Sequence, residues 1–317
     1  MHLQNNKPVI TVVVHNGLGN RLLPLLSCLR LARKSNRKLN IIFNGTPVRS
    51  CLMYYGESCK YHDLFESSEE VSIITNEENG MINYLADKIF NFEYWLKKDM
   101  IIDISGNDNI YTNYGLYTIV SQEDDLSSIF VKLQRIICEP CELTFDYIGE
   151  ELGECFRSLK PVKTLQDEID KYKVKFYPNM IGFHIRSSDG GFLNIKWDEI
   201  VKKIISICEK WCSLSKDNGV FLATDNPKYY VDFVCKLKQF VFYDPPEILC
   251  NTKSSTKFNN DKYNVLSALV EIHLLGSCNH TIVGTVDSTF SICSMLLAGK
   301  NTKKYLINDV SNIPEII

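Results

Sequence analysis

Apolar positions along the chain follow two alternating rhythms, short β-branched runs and longer stretches with helical spacing. Val9–Val14 is a run of six β-branched residues that reads as a buried strand, and it ends close to a glycine turn at 16–20. Residues 21–34 then place Leu22, Leu25, Leu26 and Leu29 on one helical face, and Lys38–Phe43 reads as a second strand. This is a βαβ unit, the seed of a parallel sheet. The stretch 49–159 is less regular, with acidic and asparagine-rich loops near 69–79 and 107–113; helices are expected at 81–96 and 127–137. A helix at 162–173 leads to Phe176-Tyr177-Pro178-Asn179, after which the rhythm restarts. Strands are expected at 180–185, 220–223, 240–243 and 281–283, alternating with helices at 197–212, 229–238, 264–277 and 288–298. The pattern predicts an α/β chain of two doubly wound units, drawn at 1–165 and 166–317, without solenoid repeats or a low-complexity linker.

Composition narrows the classes. The 317 residues are 45% hydrophobic and 23% charged, an ordinary globular balance that rules out a disordered or collagen-like chain. A net charge of −3 offers no electrostatic reason to expect nucleic acid. The longest apolar runs are strand-length, far short of the roughly 20 residues that span a bilayer. The first residues lack the basic region, long apolar region and cleavage site of a signal peptide, so a cytoplasmic chain is expected. The 12 cysteines are spread along the chain and several fall in apolar patterns, where a thiol acts as a small hydrophobe. The one Cys-x-x-Cys, Cys138 to Cys141, has no second pair to complete a metal site, and no Asp-x-Asp run exists. No metal and no other cofactor is expected. Arg30, Arg33, Lys34, Arg37 and Lys38 cluster where the first helix ends, as its dipole favours.

Four segments carry candidate chemistry. Gly17-Leu18-Gly19-Asn20-Arg21 lies between strand and helix; it departs from the dinucleotide fingerprint, with Leu22 at the third glycine position, and suits either a phosphate or a plain tight turn. His184-Ile185-Arg186 ends a buried strand before a polar turn containing Asp189, which puts a guanidinium where open α/β sheets bind ligands. By strand alternation His184 and Arg186 share one face and Ile185 points to the other; a satisfied core histidine fits position 184 equally well. Phe221-Leu222-Ala223-Thr224-Asp225 runs into a helix started by Pro227, with Asp225 or Asn226 as its cap. Last, Glu271 precedes a short strand and the stretch Asp287-Ser288-Thr289-Phe290, where hydroxyls at a helix start form either an anion cradle or an ordinary cap.

In this order and spacing, the four segments resemble the peptide motifs of GDP-fucose-dependent fucosyltransferases, above all the nodulation and core α-1,6 enzymes. The matches cover residues 9–43 and about 178–299. The resemblance implies a GT-B architecture, two Rossmann-like domains facing a cleft, with the first domain on the acceptor side and the donor held mainly by the second. It implies inverting, metal-independent transfer of L-fucose from GDP-β-L-fucose to a carbohydrate hydroxyl. Arg186 matches the arginine that contacts the donor diphosphate, His184 and Glu271 match residues near guanine, and Ser288 matches a phosphate-binding serine. Gly17, Gly19, Asn20, Asp225, Asp287, Thr289 and Phe290 complete the expected donor site. This chain departs in three places. Ser187 stands where many relatives have a second arginine, Glu271 where Asp is usual, and residues 190–196 contain no acid. Asp189 is therefore the nearest candidate base.

Overall fold

The computed structural model describes residues 8–14, 17–43, 59–74, 101–102, 110–113, 120–121, 141–143, 147–187, 195–244, 262–286 and 288–316. The first elements are β1 (Val9–Val14), α1 (Leu18–Lys34), β2 (Lys38–Phe43), α2 (Tyr61–Leu64) and β3 (Val71–Ile73). Short strands β4 (Ile101–Ile102), β5 (Ile110–Asn113), β6 (Val120–Ser121) and β7 (Cys141–Glu142) follow. Then come α3 (Tyr147–Ser158), α4 (Lys163–Lys173), β8 (Asn179–Ile185), α5 (Trp197–Leu214), β9 (Asn218–Thr224), α6 (Pro227–Lys236) and β10 (Phe240–Phe242). The chain closes with α7 (Lys262–Gly276), β11 (Thr281–Thr285), α8 (Thr289–Leu297) and β12 (Lys303–Ile307).

Two sheets result. The first is all parallel in the order β3-β2-β1-β5, with Val12 opposite Ile41 and Thr112. The second runs β10-β9-β8-β11-β12-β7, parallel except for β7 at its edge. Within it, Phe183 lies opposite Leu222 and Val283. Such parallel strands are buried on both faces, which explains their continuous apolar runs. Alternation along β8 decides which helices each residue meets. Ile181, Phe183 and Ile185 join Ile200, Ile204 and Trp211 of α5 and Phe233 of α6 in one buried cluster. Met180, on the opposite face, joins Leu269 and Leu275 of α7 and Met295 of α8 in the other.

That second cluster is shared by both sheets. α1 buries Leu22, Leu25, Leu26 and Leu29 completely or nearly so, and packs on β1, α8 and α3. Polar contacts reinforce the junction: Arg30 pairs with Glu151, and the Arg157 guanidinium donates to the Leu296 carbonyl at the end of α8. The α1 cations therefore hold α3 as well as complementing a helix dipole. The α3 helix is unexpected from the sequence because Gly149 and Gly153 weaken its propensity. Packing supplies the reason for one of them, since a Cβ on Gly153 would stand 2.5 Å from the Leu296 carbonyl oxygen. The helices expected at 81–96 and 127–137 lie outside the described residues. Among the described residues, no helix is long and apolar enough to cross a membrane.

Candidate active site

The second sheet reverses its winding between β8 and β11, because β9 lies on one side of β8 and β11 on the other. Ligands of open α/β sheets settle at the carboxyl ends of the strands at such a switch point. The segments that end β8, β9 and β11 meet there, and they carry most of the residues singled out from the sequence.

Arg186 follows β8 directly, and its side chain is exposed. Its backbone is held from both neighbouring strands. The Arg186 N–H donates to Thr285 Oγ1 at 3.1 Å, and the Thr285 hydroxyl donates to the His184 carbonyl at 2.9 Å. Across the sheet, the Thr224 hydroxyl donates to the Ile185 carbonyl at 2.7 Å. Asp225 Oδ1 accepts the Ser187 N–H at 2.9 Å and its hydroxyl at 3.3 Å, while Asn226 Nδ2 donates to Ser187 Oγ at 3.1 Å. The peptides on both sides of Arg186 are thus fixed before any ligand arrives. Asn226, not Asp225, caps α6, accepting the Lys228 N–H.

His184 is buried beneath this arginine. Its Nδ1 lies 2.7 Å from Ser291 Oγ and 3.5 Å from Ser288 Oγ, and its ring stacks on Phe290 at 4.4 Å. Burial pulls its pKa down to about 3; Asp225 acts weakly against this and Arg186 with it. The imidazole is therefore neutral at physiological pH. Ser288 is itself buried and caps α8, its Oγ accepting the Ser291 N–H at 3.4 Å. Its hydroxyl is engaged inside the fold rather than offered to solvent.

Glu271, on α7, brings a carboxyl group to the same region. Its Oε1 accepts the Tyr230 hydroxyl at 3.2 Å, and the Tyr230 oxygen lies 3.4 Å from the Thr224 N–H, which donates to it. Burial pushes the Glu271 carboxyl up to about 8, the Tyr230 hydrogen bond pulls it back, and the Asp225 charge adds to the rise.

The glycine turn of the first sheet reaches this site through its packing. A Cβ on Gly19 would lie 2.6 Å from Thr289 Oγ1 and 2.9 Å from the Phe290 nitrogen, so only glycine lets α1 begin against the start of α8. Gly17, the N-cap of α1, has nothing within 4 Å of the corresponding position, and Asn20 lies in the first turn of that helix. Arg21 turns inward: it is buried, its guanidinium 5.2 Å from the Phe43 ring centroid and its Nη1 donating to the Cys59 carbonyl at 3.4 Å. Asp189 and Asp287 lie outside the described residues. Sequence reasoning missed Thr224, Thr285, Tyr230 and Ser291. The two threonines carried a faint signal as the last residues of buried strands, whereas Tyr230 and Ser291 looked like ordinary helix residues.

Two parallel-sheet units, each wound about its own switch point and joined where α1 meets α8, make this the GT-B fold of glycosyltransferases. The sequence model of nodulation protein Z (NodZ) matches residues 5–313, and the chain belongs to that family. Comparison with curated protein sequences gives no match. Among solved structures, fucosyltransferase NodZ from Bradyrhizobium superposes with a TM-score of 0.56 at 17% identity, over 92% of this chain and 94% of the other. A NodZ α-1,6-fucosyltransferase soaked with GDP-fucose gives 0.55 at 18% identity, over 92% and 93%. An Arabidopsis thaliana FUT1 variant in complex with GDP gives 0.54 at 14% identity, over 94% of this chain and 70% of the other.

Proposed function

We propose that this protein is an inverting glycosyltransferase that moves L-fucose from GDP-β-L-fucose to a carbohydrate hydroxyl without a metal ion. The observation that carries the reading is the doubly anchored Arg186 at the switch point, with neutral His184 two residues before it and the Glu271 carboxyl tied through Tyr230 to Thr224 of the neighbouring strand end. Family membership supports it. Guanine presents two adjacent donors, N1–H and N2–H, and an ionised Glu271 accepts both; uracil and adenine lack that pair. The acceptor oxygen attacks the anomeric carbon, the bond to the β-phosphate oxygen breaks, and GDP leaves with the bonding electrons. Negative charge grows on the β-phosphate as that bond stretches, and a guanidinium already in place stabilises it without reorganising. The acceptor proton passes to a base, a role assigned to Asp189. Gly17, Asn20 and Thr289, at the starts of α1 and α8, line the diphosphate side. His184 and Phe290 stand toward the base, while Asp225 and Ser288 act by holding the backbone of Arg186 and of α8. Asp287 borders the same helix start. The N-terminal unit takes the acceptor, with the boundary between units near residue 165.

Thermal melting with nucleotides tests the donor assignment. GDP should raise the melting temperature more than UDP or ADP, with EDTA present throughout. At a hundredfold excess over Kd the gain is about 2.7 kcal/mol. Equal shifts with UDP would point to a different nucleotide sugar. GDP binding without release of GDP from GDP-fucose would reduce the protein to a binding module, the reading that Ser187 in place of a second arginine favours.

A further inference from the structure

We infer that Tyr230 is a positioning residue that sets base selection, by holding the Glu271 carboxylate in one orientation at the cleft. This rests on the assignment of Glu271 to guanine made above. Glutamate has three side-chain torsions, and a carboxylate must be fixed in plane if its two oxygens are to meet two adjacent N–H groups. Tyr230 supplies the fixing. Its hydroxyl donates to Glu271 Oε1 and accepts the Thr224 N–H, tying the α7 acid to the strand end that also anchors Arg186 through Thr224 and Asp225. The ring packs against Phe242 at 5.5 Å, so the hydroxyl does not move independently of β10. One oxygen of Glu271 is thus engaged by a neutral donor, leaving the rest of the carboxylate to a ligand.

The environment makes this donor consequential. Glu271 is held toward its protonated form by burial and by the charge of Asp225, and Tyr230 is the group that opposes both. Tyr243 feels the same carboxyl, its own ionisation raised by burial, by Glu168 and by Glu271, while Lys173 of α4 acts on His273 two residues further along α7. A protonated carboxyl accepts at one oxygen and cannot receive both guanine donors. Removing the tyrosine hydroxyl therefore weakens guanine binding in two ways, by loosening the side chain and by making it harder to ionise.

The test compares wild type, Tyr230→Phe and Glu271→Gln by calorimetric titration with GDP and with inosine diphosphate, which lacks the 2-amino group, across pH 6 to about 8.5. In wild type, GDP affinity should rise with pH and exceed inosine diphosphate affinity. Phe keeps the ring packing but leaves the Thr224 N–H without its acceptor, so Tyr230→Phe should fold and melt only a few degrees below wild type. It should bind GDP about tenfold more weakly at neutral pH, the scale of one hydrogen bond to a charged group. Its affinity-against-pH curve should move to higher pH and its preference for GDP should shrink. Glu271→Gln should bind with no such pH dependence. With GDP-fucose, Tyr230→Phe should raise KM and leave kcat nearly unchanged, because the base is remote from the reacting bond. A Tyr230→Phe protein with the wild-type pH curve and wild-type preference would overturn the inference while leaving guanine recognition standing. A wild type that does not prefer GDP would remove the guanine assignment itself, and this inference with it.

Discussion

Arg186 is exposed, yet its backbone is held on both sides. Thr285, Thr224 and Asp225 bind the peptides around it, and each comes from the end of an adjacent strand. This fixes the backbone from which the guanidinium projects. Arg186→Lys keeps the charge but loses the planar fork, so it should fold normally and lose about 10²–10³ in kcat, the usual cost of one donor to a developing anion. Turnover of GDP-fucose beside a melting curve checks this; wild-type turnover in a folded variant would remove Arg186 from the mechanism. Ser288→Ala should behave in the opposite manner. Because Ser288 is buried as the α8 cap, its loss should cost about 1 kcal/mol of stability and comparatively little kcat. Chemical denaturation of the two variants separates a residue that acts on substrate from one that holds a helix.

At the scale of elements, the starts of α1 and α8 behave as one unit. Gly19 lies so close to Thr289 and Phe290 that a methyl group forces the helices apart. Gly19→Ala should destabilise the protein by about 1–3 kcal/mol through overpacking, and should weaken GDP binding as α8 shifts under His184. Gly17→Ala is the control. Its backbone is extended at φ −61° and its Cβ position is open, so the poorer N-cap that alanine makes is offset by the smaller entropy of the unfolded chain, and stability should change by less than about 1 kcal/mol. If the diphosphate passes over the start of α1, Gly17→Ala lowers GDP affinity in a protein that melts normally. Denaturant titration and GDP binding on the pair distinguish a packing glycine from a ligand-facing one.

Across the whole molecule, three groups, one buried and two half-buried, make stability depend on pH in opposite senses. Glu271 is raised from 4.5 to about 8, so its contribution is complete below pH 4.5 and is lost as pH rises through 8. His184 and His273 are lowered from 6.5 to about 3 and about 4, both chiefly by burial. Their contributions are complete above pH 6.5 and are lost as pH falls toward those values. The ligand-free protein should therefore melt lower toward pH 8 than near pH 6, and Glu271→Gln should flatten that alkaline decline. Binding of GDP below pH 8 requires an ionised Glu271 and should release a proton, visible as a dependence of the calorimetric heat on the ionisation enthalpy of the buffer.

The alternation of strands and helices after residue 178 is legible along the chain, because buried parallel strands read as β-branched runs and their covering helices as periodic ones. The sequence also located Arg186 at a strand end, the elementary consequence of an apolar run stopping at a charge. The roles of the polar residues were not legible in it. Gly19 read as an opening for a ligand, and tertiary structure gives its space to α8. Asp225 read as a helix cap or a ligand contact, and the structure spends it on Ser187. Tyr230 and Glu271 are 41 residues apart and carry no mutual signal along the chain. Periodicity reports which face of an element is apolar, and so it fixes elements and their buried sides. Which hydroxyl meets which carboxylate depends on how a helix sits over a sheet, and that follows from side-chain packing across long sequence separations.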